Sequence, residues 1–200
     1  MHILVCVKQI PDMEAEFHLD GESGWLELPE NLEYKMNSFD EYAVEEAIRI
    51  KQKIPDAEIH AVTVGPERSG EVLQRALGMG ADRGIHIRQE GHLSSTQTAE
   101  LIGANIRDKN FDLILTGAMS EDNMQGLLPG ILAEKLQLPS LNGVVDLQLQ
   151  AGEVYIEREL EGGCKEGFQV RLPAVLSLQS GINTPRYPAL SKLLKAKQAE

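Results

Sequence analysis

The sequence predicts an α/β fold: a mainly parallel sheet with helices on both faces and an antiparallel hairpin extension near the C-terminus. Short apolar runs alternate with amphipathic segments over the first two thirds of the chain, which is typical of strands joined by crossover helices. The clearest example is Asp112–Thr116, which ends at Gly117 and leads through a polar loop into a helix-like segment. After Pro139 the pattern changes to period-two segments separated by glycine turns, which indicates antiparallel hairpins.

Strand and helix follow each other in a regular order up to residue 138. The predicted elements are strand 2–7, helix 37–51, strand 57–65, helix 69–79, strand 85–87, helix 94–108, strand 112–116 and helix 126–136. Between the first strand and the first helix, Trp25–Leu28 is compatible with a short strand outside the main sheet. The later strands are predicted at 141–149, 153–160, 165–172 and 174–179, and a short basic helix at 190–197.

Two helix starts show capping-box spacing, in which a serine side chain and a residue three positions later each satisfy a backbone N–H. These pairs are Ser38 with Glu41 and Ser94 with Gln97. Further acids crowd the N-terminal half of the first helix, the favourable end of its dipole. We interpret them as a solvated face; they are Asp40, Glu41, Glu45 and Glu46.

Composition excludes several classes of function. The chain has 200 residues, 42% of them hydrophobic and 25% charged, which is typical of a globular domain. Its net charge of −12 argues against a nucleic-acid or anionic-membrane surface, where a basic face is expected. We find neither a membrane span nor a signal peptide, and Cys6 and Cys164 lack metal-ligand spacing. A reduced, cytoplasmic protein without membrane insertion is therefore expected.

No catalytic motif is present, so a rigid binding scaffold is favoured over a self-contained enzyme. The chain has no Gly-x-Ser-x-Gly elbow, HExxH, CxxC or Walker A loop. His60 and His86 lie in predicted strands, where core or edge histidines are commoner than metal ligands, and no metal site is expected. Lys8 follows the first strand and is interpreted as a solvated turn residue, although a role facing a ligand is the alternative.

The loop Ser120–Gln125 lies between the fourth strand and its helix. Such a loop leads into a helix N-terminus, where free backbone N–H groups bind an anion or nucleotide. Pro129 fits the first helical turn, because proline has no N–H to donate further along. An ordinary βα turn explains the same residues, and both interpretations remain open at this level.

Seven segments, in order along nearly the whole chain, resemble the beta (small) subunits of electron transfer flavoproteins. They are Ile3–Asp12, Met36–Ala47, Ala76–Gly84, the Gly117-x-x-Ser120-x-Asp122-x-x-x-Gly126 loop, Glu157–Gly163, Leu172–Val175 and Asn183–Leu190. The resemblance implies an adenine nucleotide alpha hydrolase-like fold. It also implies a nucleotide-binding domain over residues 1–183, with a recognition loop and short helix over 184–200.

The resemblance implies an electron carrier and not an enzyme. In this family a large alpha subunit holds most of the FAD, and the heterodimer passes electrons from dehydrogenases to a downstream acceptor. The small subunit binds a structural adenine nucleotide, either AMP or a second FAD. A stand-alone regulatory or stress-type protein that binds adenine nucleotides without a flavin partner is the alternative.

The resemblance also implies which residues line the nucleotide site. They are Cys6, Asn37, Ser38, Phe39, Asp40, Val64, Gly117, Ser120, Asp122, Asn123, Gln125, Gly126, Leu127 and Leu128. Backbone N–H groups near Gly126 would face a phosphate, and Asp122 a ribose hydroxyl or adenine amine. Leu190 matches a leucine that docks on the partner dehydrogenase; the alternative is a C-terminal helix whose leucines, 190, 193 and 194, pack inward.

Two features depart from the family pattern. Many relatives have Gln and then Val or Thr after the glycine of the loop, whereas Leu127 and Leu128 follow Gly126 here. Leucine donates no side-chain hydrogen bond, so a phosphate would depend more on backbone groups. The family also usually continues for about fifty further residues, an arm that contacts the large subunit and is absent from this sequence.

Overall fold

The computed structural model describes residues 1–22, 26–27, 29, 31–150 and 152–196. The strands in this part of the chain are β1 (His2–Cys6), β2 (Gln9–Pro11), β3 (His18–Leu19), β4 (Leu26–Glu27), β5 (Tyr34–Met36), β6 (Glu58–Gly65), β7 (Arg83–Arg88), β8 (Leu113–Gly117), β9 (Ser140–Gln150), β10 (Glu153–Glu159), β11 (Lys165–Arg171) and β12 (Ala174–Leu178). The helices are α1 (Ser38–Lys53), α2 (Gly70–Met79), α3 (Ser95–Ile106), α4 (Leu128–Leu136) and α5 (Leu190–Ala196).

Eight strands form one sheet, in the order β11-β10-β9-β12-β8-β1-β6-β7. All pairs from β9 to β7 in this order are parallel, while β9, β10 and β11 are antiparallel. The predicted α/β class, with a parallel sheet and an antiparallel extension, is confirmed. Two short ribbons, β2 with β5 and β3 with β4, lie outside this sheet; of the predicted Trp25–Leu28 strand, Trp25 and Leu28 fall outside the described residues.

Helices cover both faces of the sheet, as predicted. Alternate residues of β1 point to opposite faces: Ile3 and Val5 pack with α1 and α2, whereas Leu4 and Cys6 pack with α3 and α4. Residues of β8 divide between the two faces in the same way. No helix among the described residues has the length and apolar character needed to cross a bilayer.

Strand β12 does not belong to the antiparallel hairpins that the sequence predicts. It lies between β8 and β9 and is parallel to both, with Ala174 opposite Leu113 and Val175 opposite Ser140. All five of its residues are buried, because helices cover it on both faces, and such strands read as continuous apolar runs. The antiparallel extension is therefore limited to β9, β10 and β11.

The two predicted capping boxes have different outcomes. At α3, the Gln97 N–H donates to Ser94 Oγ at 3.3 Å and the Ser94 N–H donates to Gln97 Oε1 at 3.0 Å, so that box is confirmed. The Ser38–Glu41 box is wrong. The N-cap residue of α1 is Asn37, whose side chain makes no capping bond because it contacts the loop after β8.

The acids of α1 are not a solvated face, so that interpretation is also wrong. Asp40, Glu45 and Glu46 have exposed fractions of 6%, 5% and 4%. Glu45 accepts hydrogen bonds from the Arg186 guanidinium at 2.8 and 2.9 Å, and Glu46 accepts one from Asn183 Nδ2 at 2.9 Å. Glu45 and Glu46 therefore hold the segment that leads to α5.

Candidate functional site

A cavity of about 350 Å³ lies at the carboxyl ends of β1, β6 and β8. In open α/β sheets this edge is where ligands bind, because the loops after neighbouring strands diverge there and helix N-termini point toward it. Polar loops from three directions border the cavity: the residues after β1, the 3₁₀ turn Glu67–Ser69 after β6, and residues 118–127 after β8. The fold therefore places the candidate site where the strand–loop–helix pattern predicts it.

Eleven of the fourteen residues predicted for the site line this cavity: Cys6, Asn37, Asp40, Val64, Gly117, Ser120, Asp122, Asn123, Gly126, Leu127 and Leu128. Ser38, Phe39 and Gln125 do not line it. Phe39 packs against Gly117, and the exposed Gln125 accepts a hydrogen bond from Ser95 Oγ at 3.2 Å. The structure thus brings together residues from four separate parts of the sequence.

Gly117 and Asp40 join the end of β8 to the start of α1. The Gly117 N–H donates to Asp40 Oδ1 at 3.2 Å, and the Lys8 N–H donates to Asp40 Oδ2 at 2.8 Å. A Cβ at position 117 would lie 2.5 Å from Asp40 Oδ1 and 2.7 Å from the Phe39 carbonyl carbon. Only glycine permits this close approach of the two backbones.

Burial controls the titration of the two ionisable groups at the base of the cavity. It raises the pKa of Asp40 to about 7, against the opposing effect of hydrogen bonds from Lys8, Asn37 and Gly117. Burial, together with the Asp40 carboxylate, also raises the pKa of the Cys6 thiol. Cys6 is therefore a protonated, apolar part of the cavity wall and not a nucleophile.

Lys8 is not a solvated turn residue, because it pairs with the loop after β8. Its Nζ lies 2.7 and 2.6 Å from the two carboxylate oxygens of Asp122 and 3.2 Å from Ser120 Oγ. The Asn37 side chain contacts the same loop, donating to the Met119 carbonyl at 2.9 Å and accepting from the Glu121 N–H at 3.1 Å. Lys8, just after β1, and Asn37, at the start of α1, thus hold the loop after β8 beside the cavity.

The start of α4 presents free donors to the cavity. Gly126 has a φ of +61°, which turns the chain into the helix. Within the described part of the chain, the N–H groups of Gly126, Leu127 and Leu128 have no acceptor. Leu127 is 52% exposed, and Leu128 packs on the core beneath α3 and α4. Leu127 and Leu128 therefore do not fill the turn at Gly126, which remains open to an anion.

Sequence reasoning missed the wall of the cavity formed by Gln9, Tyr34 and Arg68. The Arg68 guanidinium carbon lies 4.4 Å from the centroid of the Tyr34 ring, and Gln9 Nε2 donates to the Arg68 carbonyl at 3.0 Å. The Gly65–Pro66 turn at the end of a predicted strand indicated that the residues after it, including Arg68, lie at the ligand-binding edge of the sheet. Nothing in the sequence pattern pointed to Tyr34, which reaches the site through pairing of β5 with β2.

Helix α5 divides its leucines between the core and the surface. Leu193 packs against Gly78 of α2, where an added Cβ would lie 2.7 Å from its Cδ2. Leu190 is 72% exposed and Leu194 is 55% exposed, next to Tyr187 at 92%. Inward packing of all three leucines is therefore wrong, and an apolar surface is left on α5.

The fold and the position of the cavity define a doubly wound α/β protein with a ligand site at the carboxyl edge of its sheet. The chain belongs to the electron transfer flavoprotein family, since the model of the electron transfer flavoprotein domain matches residues 26–200.

Similar proteins share the whole length of this chain. Proteins named electron transfer flavoprotein subunit beta are 34% identical over 200 residues in Dictyostelium discoideum, 35% over 199 in Syntrophomonas wolfei and 32% over 202 in Bos taurus. The alignments cover 99–100% of this chain and 77–79% of those relatives. The family resemblance drawn from the seven sequence segments is confirmed.

Proposed function

We propose that this chain is the beta subunit of an electron transfer flavoprotein. It pairs with an alpha subunit that carries most of the FAD, and the heterodimer passes electrons from dehydrogenases to a downstream acceptor. Family membership and the names of the relatives support this role. The two cysteines are free, in keeping with a cytoplasmic location.

The proposed ligand of the cavity is an adenine mononucleotide, AMP. The observation that carries this proposal is the convergence of eleven predicted residues on one cavity of about 350 Å³. That volume is near the lower end of the range for small-molecule sites, about 300–1,000 Å³. It suits a mononucleotide better than a second FAD, which has more than twice as many atoms.

Main-chain donors of the β8–α4 connection would hold the phosphate. The N–H groups of Gly126, Leu127 and Leu128 are available at the N-terminus of α4, where the helix dipole favours an anion. Leu127 adds no side-chain donor, which is consistent with backbone recognition. The Lys8–Asp122 pair fixes the other side of the loop, and its carboxylate retains acceptor sites for a ribose hydroxyl.

Electron transfer needs no bond-making side chain from this subunit. FAD supplies the redox chemistry when bound, mainly to the alpha subunit. The cavity residues hold the nucleotide and exclude water, and burial keeps the Cys6 thiol protonated and unreactive. We therefore assign this chain a carrier role and not an enzymatic one.

Helix α5 is proposed to dock on the dehydrogenase partner. Leu190 and Leu194, one turn apart on α5, are largely exposed, as is Tyr187 before the helix, and the same helix carries the exposed Lys192 and Lys195. Exposed apolar groups next to basic residues suit a partner with an apolar pocket and an acidic rim. Leu190 is the main contact in this proposal.

Co-expression with the alpha subunit tests the function. We expect a yellow heterodimer, and mass spectrometry of the released small molecules should find FAD and one AMP per heterodimer. Isolation as a colourless homodimer that binds ATP would contradict the proposal and favour the stand-alone alternative.

A matched pair of glycine variants tests the nucleotide site. Gly126→Ala should lower the AMP content, because its Cβ lies 3.1 Å from the Ala118 carbonyl and disturbs the start of α4. Gly152→Ala is the control, since Gly152 has a similar positive φ of +78° but lies in the β9–β10 turn with open space around it. Equal AMP content in both variants would contradict the assignment.

A further inference from the structure

Three potential metal ligands meet at the opposite edge of the sheet from the cavity. His2 and Glu58 start the neighbouring parallel strands β1 and β6 and lie opposite each other in the register. His60 is two residues beyond Glu58 and so points to the same face. The sequence gives no metal-ligand spacing, because His2 and His60 are far apart along the chain.

The distances suit a small divalent cation. His60 Nε2 lies 3.2 Å from Glu58 Oε1, and His2 Nδ1 lies 3.6 Å from Glu58 Oε2. One ligand atom from each residue lies within 4.8 Å of the others. Tetrahedral zinc with bonds near 2.0–2.1 Å places its ligand atoms roughly 3.4 Å apart. Rotation of the exposed His2 ring closes the remaining gap.

One ligand atom needs a partner. His60 Nε2 is buried and lies 3.2 Å from Glu58 Oε1, in a geometry that falls short of a hydrogen bond. A buried polar atom without a partner costs free energy. The Phe111 ring packs edge-on against the His60 ring with centroids 5.2 Å apart, and this contact holds the imidazole in place.

Two neighbouring charged groups act on a bound cation in opposite directions: the Arg83 guanidinium repels it, and the Asp112 carboxylate attracts it. Arg83 Nε lies 2.6 Å from Glu58 Oε1 and orients the carboxylate, which leaves Oε2 on the side of His2. The His2 main-chain N–H donates to Asp112 Oδ2 at 2.7 Å, which places a second carboxylate close to the start of β1. The Arg83 contact is of the kind that orients a carboxylate ligand in metal sites.

We propose that His2, Glu58 and His60 bind Zn²⁺ with a fourth position open to water. Two histidines and one glutamate are a known zinc ligand set. The site lies away from the nucleotide cavity and joins the amino ends of the neighbouring strands β1 and β6. It stands independently of the proposed electron-transfer function.

Zinc titration of metal-free protein without a histidine tag tests the site. A chromophoric chelator should report one Zn²⁺ per chain with micromolar or tighter affinity, and thermal melting should shift upward with zinc. His60→Ala and Glu58→Gln should each weaken binding at least about tenfold. His2→Ala should do the same, and because His2 is exposed, this variant keeps the fold if the others lose it.

His86→Ala is the matched control. His86 lies in β7, where its ring contacts the Gly65 carbonyl at 3.1 Å, and its removal should leave zinc affinity unchanged. The proposal is overturned if the wild-type chain binds no zinc in the micromolar range. It is equally overturned if the His2→Ala variant binds zinc as tightly as the wild type.

Discussion

Two buried acids on helix α1 hold two different segments, and they do so by different means. Asp40 accepts hydrogen bonds from the main-chain N–H groups of Lys8 and Gly117 at the base of the cavity. Glu45, on the second turn of the helix, meets the Arg186 guanidinium through both carboxylate oxygens. Asp40 meets uncharged main-chain dipoles, and burial raises its pKa, whereas Glu45 meets the full counter-charge of Arg186. The contact at the cavity end of α1 should therefore respond to pH, and the contact of Glu45 with the segment before α5 should respond to loss of the Arg186 cation.

The largest expected effect is the pH dependence contributed by Asp40. The pKa of Asp40 in the folded chain is about 7, which is above its unfolded value. The contribution of Asp40 to the free energy of unfolding is therefore fully present below about pH 4 and is lost as the pH rises through 7. Relative to Asp40→Asn, wild-type unfolding free energy should fall by about 4 kcal/mol over this range. Urea unfolding at several pH values measures it; parallel profiles for the two proteins would refute the assignment.

The close approach at Gly117 should give the next largest effect. Gly117→Ala should destabilise the fold by about 3 kcal/mol, because backbone atoms of Phe39 and the buried Asp40 cannot move aside. Gly130→Ala in α4 is the control, since nothing lies within 4 Å of its added Cβ. That change should stabilise by about 0.5 kcal/mol. Equal stabilities of the two variants would contradict the close contact of Gly117 with Phe39 and Asp40.

Loss of Arg186 tests the ion pair in the middle of α1. Arg186→Met should cost about 2 kcal/mol, because Glu45 remains buried without its partner, while the partial exposure of Arg186 reduces the effect below that of a fully buried pair. Hydrogen exchange of residues 183–196 should rise in parallel. Arg171→Met is the control, since the pair with Glu153 is largely exposed and should contribute less than about 0.5 kcal/mol.

The smallest effect is expected for the Lys8–Asp122 pair. A double-mutant cycle of Lys8→Met and Asp122→Asn should give a coupling of about 1 kcal/mol or less in unfolding free energy, because the pair is partly exposed. Added salt should reduce this coupling. A coupling well above that value would place the pair among the main supports of the fold.

The sequence predicted those parts of the molecule that local patterns determine. The fourth strand, its loop and the helix after it were readable because an apolar run, a glycine and a proline follow one another at Asp112–Pro129. The Ser94 capping box was readable for the same reason, since both partners lie within one turn. Residues of the candidate site came from the family resemblance, and the structure gathers most of them at one cavity.

Contacts between distant parts of the chain could not be predicted from the sequence. Glu45 looks like a surface acid because its partner, Arg186, lies 141 residues away. Asn37 is the N-cap residue of α1, yet its side chain contacts a loop more than 80 residues later. Burial of these polar groups depends on tertiary packing, which neither propensity nor periodicity records.

The insertion of β12 has a consequence for synthesis on the ribosome. Until residues 174–178 emerge, β8 has no neighbour on one side, and its apolar edge is exposed next to the already formed β1. An unprotected edge strand of this kind pairs readily with other chains. A nascent chain that stalls within the β9–β11 hairpins would therefore be prone to aggregate, and residues 174–178 must be synthesised before the central sheet closes.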